Sequence, residues 1–142
     1  MTAKQYLNRI RALRSAARTL ETKEKELRAK AEGINAITYD RDAVQAPPKD
    51  RLTEAVIKMI EVEERYARAV SDYHTAIQKR MQMIEALENP AHVQVLTLRY
   101  CREMRWEKVA DEMNYSLRQT YRVHGRALQA FEKRYWAEIQ NH

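Results

Sequence analysis

Apolar residues recur along the first part of the chain at alternating steps of four and three. Tyr6, Ile10, Leu13, Ala17, Leu20, Leu27, Ala31 and Ile34 form the series, and Glu24 is its one polar interruption. Such a heptad seam predicts a coiled-coil helix over residues 3–32, about 45 Å long. Gly33 is a residue that can end it. "INAITYDRDAVQAPPKD" has no helical period and carries Pro47-Pro48, so residues 33–49 read as a loop with a polyproline-like exit. Asp50 is a candidate N-cap for a second long helix. Its seam is Leu52, Val56, Met59, Glu63, Tyr66, Val70, Tyr73, Ile77, Arg80, Ile84 and Leu87. Neither helix buries enough apolar surface alone, so the two are expected to pair as an antiparallel hairpin; a parallel homodimer is the competing arrangement.

Asn89-Pro90 marks a boundary, because asparagine caps helices and proline suits the first helical position. A third helix is expected over 90–103, with Val93, Leu96 and Tyr100 on one side and Val95, Leu98 and Cys101 widening it. "REMR" at 102–105 breaks the pattern. A fourth, short helix is expected over 106–113, with Trp106, Val109, Ala110 and Met113 inward. "NYS" at 114–116 is a turn in which Ser116 can cap the next helix. This fifth helix runs from Leu117 to about Phe131, with an extension toward Ile139; its inward set is Thr120, Val123, Ala127, Leu128 and Phe131. The fold class is therefore all-α: a long N-terminal coiled-coil helical hairpin over residues 1–88, then a C-terminal three-helix module over 89–142. Only two glycines and three prolines in 142 residues agree with long helices.

Charge sharpens this picture. The net charge is +6, distributed as +5 over residues 1–32, zero over 33–49, −2 over 50–89 and +3 over 90–142. Basic ends point to a polyanionic partner, most often nucleic acid. No run of about 18 apolar residues exists, so a spanning helix is not expected, and no segment is both strongly basic and broadly apolar, so a membrane partner is not expected either. The charged N-terminal residues do not resemble a signal peptide. The lone Cys101 has no internal disulfide partner, which suits a reducing, cytoplasmic compartment.

Two short helices joined by a three-residue turn, the second basic, describe a helix-turn-helix. With Thr120, Val123, Ala127 and Leu128 turned inward, Arg118, Gln119, Tyr121, Arg122 and Arg126 face outward. In a DNA major groove arginine can bind guanine bidentately and glutamine can bind adenine. Ser116 and the backbone N–H groups beside it suit a phosphate. The competing reading is a solvated helix face that is basic by chance. Against it stands the lack of compensation: in residues 116–135 only Glu132 offsets the cations.

"VLTLRYCREMRWEKVADEMNYSLRQTYRVHGRAL" (95–128) also resembles region 4 of bacterial sigma factors. Leu96, Leu98, Arg99, Tyr100, Trp106, Val109, Ala110, Ser116, Ala127 and Leu128 match its pattern. The chain as a whole looks like a family of small phage and prophage proteins of Gram-positive bacteria, related to the RinA/ArpU late transcription regulators. The resemblance implies transcriptional control through promoter DNA in the bacterial cytosol, with RNA polymerase as a candidate partner. It assigns base reading to Leu117, Arg118, Gln119, Tyr121 and Arg122. Leu117 and Tyr121 depart from the polar residues usual there, so the promoter element read by housekeeping sigma factors does not carry over. Nothing resembles region 2, and a complete sigma factor is not expected.

Other functions find less support. His74, His92, His124 and His142 are too far apart for a familiar metal motif, and no cofactor is expected. His124 reads as a packing residue or a phosphate contact. No nucleophile and base stand at a catalytic spacing, so an enzyme is not expected. Glu63 in the second seam reads as a register-setting polar residue. Gly125 inside a helix suggests close approach of another helix or of DNA. A phage packaging protein of the small-terminase kind is the alternative DNA-binding reading, although such proteins commonly carry the DNA-binding module first. A helical adaptor acting through its hairpin is the third.

Overall fold

The computed structural model describes the backbone of residues 1–41 and 49–141 and the side chains of residues 1–33 and 53–141. Every regular element among them is helical. Helix α1 spans Ala3–Arg41, α2 Lys49–Glu85 and α3 Pro90–Leu96. A π-helical turn, Thr97–Cys101, continues α3; then come α4 (Trp106–Met113), α5 (Leu117–Arg134) and α6 (Trp136–Gln140). Among the described residues no helix is long and apolar enough to cross a membrane.

Several expectations need correction. Gly33 does not end α1, which runs on to Arg41. A glycine stops a helix by adopting the left-handed conformation, and neither glycine here has a positive φ. The expected 33–49 loop thus shrinks from both sides, since α2 already begins at Lys49 and Asp50 falls inside its first turn rather than before it. The polyproline-like exit lies outside the described residues. The third helix does not continue to residue 103 in α form. It keeps α form only to Leu96, and Thr97–Cys101 widen into the π turn, in which the Arg102 amide donates to the Thr97 carbonyl at 2.9 Å. A regular helix would spread Val95, Leu96, Leu98, Tyr100 and Cys101 around its axis, whereas here all five are buried. Finally, α5 stops at Arg134, and Ile139 is buried from a separate short helix.

The chain forms two compact units. One unit is Met1–Arg14 with Thr75–His142; the other is Ser15–His74. The first holds the apolar core: Tyr6, Leu7 and Ile10 of α1, Ile77 and Ile84 of α2, Val95, Leu96, Val109, Ala127, Phe131 and Ile139. Polar ties fix its elements. Thr2 and Gln5 cap α1 reciprocally, the Thr2 amide donating to Gln5 Oε1 at 2.9 Å and the Gln5 amide to Thr2 Oγ1 at 3.2 Å. The Asn89 Oδ1 accepts from the Ala91 amide at 2.9 Å and starts α3. The Tyr135 hydroxyl donates to the Met83 carbonyl at 2.9 Å, and Arg14 donates to the Cys101 carbonyl. Cys101 itself is buried, which pushes its thiol up.

In the second unit the apolar seams are the least exposed faces. Ala17 is buried, while Leu20, Leu27, Val56, Met59, Tyr66, Val70 and Tyr73 stay half-buried. Arg28 crosses from α1 to Glu63 at 2.7 Å and also reaches Glu24 at 3.3 Å, while Glu21 meets His74 at 3.0 Å. Rising numbers on α1 match falling numbers on α2, so these stretches run in opposite directions. Arg28 thus satisfies the polar interruptions of both seams, Glu24 and Glu63, from outside.

Candidate nucleic-acid interface

Helices α4 and α5 sit in the first unit and are joined by a turn that the local sequence dictates. Asn114 adopts the left-handed conformation, φ 55° and ψ 40°. The Tyr115 amide donates to the Ala110 carbonyl at 3.0 Å and the Asn114 amide to the Asp111 carbonyl at 3.2 Å. This pair of bonds is a Schellman ending, and asparagine tolerates its left-handed position better than a branched residue would. Ser116 is extended and caps α5, its Oγ accepting from the Gln119 amide at 3.1 Å. Its hydroxyl is therefore engaged, and the exposed end of α5 offers the remaining first-turn N–H groups.

The outward and inward faces of α5 separate cleanly. Ser116, Leu117, Arg118, Gln119, Tyr121, Arg122 and Arg126 are all exposed. Thr120, Ala127 and Phe131 are buried, and Val123 and Leu128 are half-buried. Among the described residues none of the three arginines forms an ion pair. A row of unpaired cations one turn apart concentrates positive potential along one edge of the helix.

The inner side of α5 is held by an aromatic cluster that the sequence pattern does not reveal. His124 is buried, with its Nε2 2.8 Å from the Tyr100 hydroxyl of the π turn. Trp106, the first residue of α4, meets the His124 ring edge-on at 4.5 Å and the Tyr121 ring edge-on at 5.2 Å. The Arg99 guanidinium lies 4.6 Å above the Trp106 ring, and its NH1 donates to the Met104 carbonyl at 2.8 Å. Arg99 thereby fastens the 102–105 break, where Glu103 is left-handed with φ 55°. Burial, with Lys4 and Arg99 adding to it, pushes His124 down to about 4. Burial likewise pushes Tyr100 up to about 12, against the pull of Arg99. Both rings are neutral at pH 7, so of the two roles open to His124 the structure supports packing. Gly125 has open space where a Cβ would stand, so no neighbouring helix demands a glycine there.

Among the described residues no group of three or more His, Cys, Asp or Glu side chains is arranged to hold a metal. Comparison with protein-family models, with curated proteins and with solved structures returns no match for this chain.

Proposed function

We propose that this protein binds double-stranded DNA in a sequence-specific manner and regulates transcription, with α4, the Asn114–Ser116 turn and α5 acting as a helix-turn-helix. The observation that carries the reading is the exposed, unpaired row of Arg118, Arg122 and Arg126 on a helix capped by Ser116 and buttressed from behind. An α-helix fits the major groove, where its first turns reach base edges. Arg118 and Arg122 bind guanine, Gln119 binds adenine, and Arg126 lies far enough along to meet phosphate. The α5 N-terminus receives a backbone phosphate. The transcriptional role rests on the resemblance to sigma region 4 and to phage and prophage late regulators, with RNA polymerase as the protein partner that resemblance implies. The paired seams of α1 and α2 form a coiled-coil hairpin. Because Leu20, Leu27, Met59 and Tyr66 are only half-buried, that hairpin is also where a second copy of the chain would associate.

The test is selection from sheared phage and host genomic DNA at physiological salt, with wild type and an Arg118→Ala/Arg122→Ala variant side by side. An enriched motif that vanishes in the variant is the expected result, and its position relative to genes separates promoter control from packaging. Each single arginine replacement should cost about 1–3 kcal/mol at that motif and relax specificity there. Equal losses on selected and random DNA would overturn the base-reading roles.

A further inference from the structure

The outward face of α5 carries two large apolar side chains where a merely solvated face would carry polar ones. Leu117 is 40% exposed and Tyr121 49% exposed. They stand one turn apart, parallel to Arg118 and Arg122, so an apolar stripe and a cationic stripe run side by side along the first turns. The Tyr121 ring is not loose. It rests edge-on against Trp106 at an interplanar angle of 68°, and Trp106 is in turn held by the Arg99 guanidinium and the His124 ring. About half of the Tyr121 surface therefore stays in water beside the groove-reading arginines, while its ring is braced by Trp106. Ordering a side chain in advance lowers the entropic cost of whatever contact it makes.

On the major-groove edges of the four base pairs, the apolar group that matches such a stripe is the C5-methyl of thymine. We propose that Leu117 and Tyr121 read thymine methyl groups, so that the recognised site sets thymines beside the guanines bound by Arg118 and Arg122. This rests on the DNA-binding reading above. It also gives a physical reason for the two positions at which the chain departs from the polar residues of housekeeping sigma factors.

The test uses the full-length protein and a duplex it has selected from a random pool. That duplex is resynthesised with deoxyuridine in place of thymidine, one position at a time, which deletes the methyl and keeps every hydrogen-bonding group. One or two positions should each lose about fourfold in affinity, the value of one buried methyl-sized group. In Leu117→Ala one of those losses should disappear; Leu117 is exposed at the start of α5, so the fold is kept. Tyr121→Phe should retain its loss, because the ring face and not the hydroxyl makes the contact. A duplex that is bound specifically but is indifferent to every deoxyuridine overturns the methyl reading and leaves DNA binding standing. Losses that persist unchanged in Leu117→Ala overturn the role of Leu117. Failure to select any duplex overturns both the inference and the reading beneath it.

Discussion

The Tyr100 hydroxyl lies 2.8 Å from Nε2 of the buried His124, and this contact ties the π turn to the inner side of α5. The imidazole is held neutral, since burial pushes it down to about 4 from an ordinary 6.5. An unfolded chain takes up that proton near pH 6.5, while the folded one resists until about pH 4. The unfolded state therefore binds more protons throughout that window, and stability must fall as the pH drops through it. The contribution is fully present above pH 6.5 and gone below about 4, with a size of roughly 3 kcal/mol. Denaturant unfolding at intervals from pH 7.5 to 4 should show this slope. In His124→Gln the slope between pH 6.5 and 5 should flatten, carboxylate titration mattering only below that range.

Ser116 sits at the point where α5 emerges, and its Oγ accepts from the Gln119 amide at 3.1 Å. Ser116→Ala leaves that amide to water and should cost about 1 kcal/mol of stability, whereas Ser116→Asp should keep it. Chemical denaturation of the three proteins checks both outcomes. In DNA binding the aspartate should behave worse than the alanine, because a carboxylate repels the phosphate expected at that helix end.

The heptad positions show how much of this arrangement could be read from pattern alone. Tyr6, Ile10, Leu13, Ala17, Leu20, Leu27 and Ala31 on α1, and Val56, Met59, Tyr66, Val70, Tyr73, Ile77 and Ile84 on α2, are among the covered positions of their helices, because a four-three spacing leaves little choice of face. The end of α4 and the start of α5 were equally legible, since Asn-Tyr-Ser contains both a left-handed ending and a cap. So was the outward set on α5, which is fixed once Thr120 and Ala127 point in. Helix length at Gly33 was not legible, because a glycine is a stop only if the backbone turns left-handed, and nothing local forces it to. The Tyr100–His124–Trp106 cluster lay beyond the pattern because its members come from three elements and meet only by tertiary packing. Thr2-Ala3-Lys4-Gln5 did carry a capping-box signal, which a search for apolar periodicity passes over.

Arg80 is 5% exposed in the α2 seam, with its guanidinium 4.2 Å from the Tyr6 ring centre. Its Nε donates to the Tyr6 carbonyl at 3.3 Å and NH1 to the Ala76 carbonyl at 3.1 Å, and burial pushes its pKa down. No carboxylate is ion-paired with it among the described residues. A buried cation held only by carbonyls and a ring contributes mainly through the packing of its stem. Arg80→Met should therefore stay within about 1 kcal/mol of wild type, while Arg80→Ala should lose about 2–4 kcal/mol to the cavity. If methionine proves as costly as alanine in urea unfolding, the charge itself is what stabilises the joint between α1 and α2.

Gly125 lies on the exposed side of α5 next to Arg126, and a Cβ built there meets nothing within 4 Å. Its φ is not positive, so the backbone gains nothing from glycine, and alanine should raise stability by about 0.5–1 kcal/mol. A stabilising Gly125→Ala with unchanged DNA affinity would mean that the glycine has no part in the interface. The more informative outcome is the one expected from its position among the arginines: a more stable protein that binds its selected duplex more weakly. The added methyl would then be colliding with the nucleic acid and not with the protein, and the glycine would mark where the helix axis comes closest to the sugar-phosphate backbone.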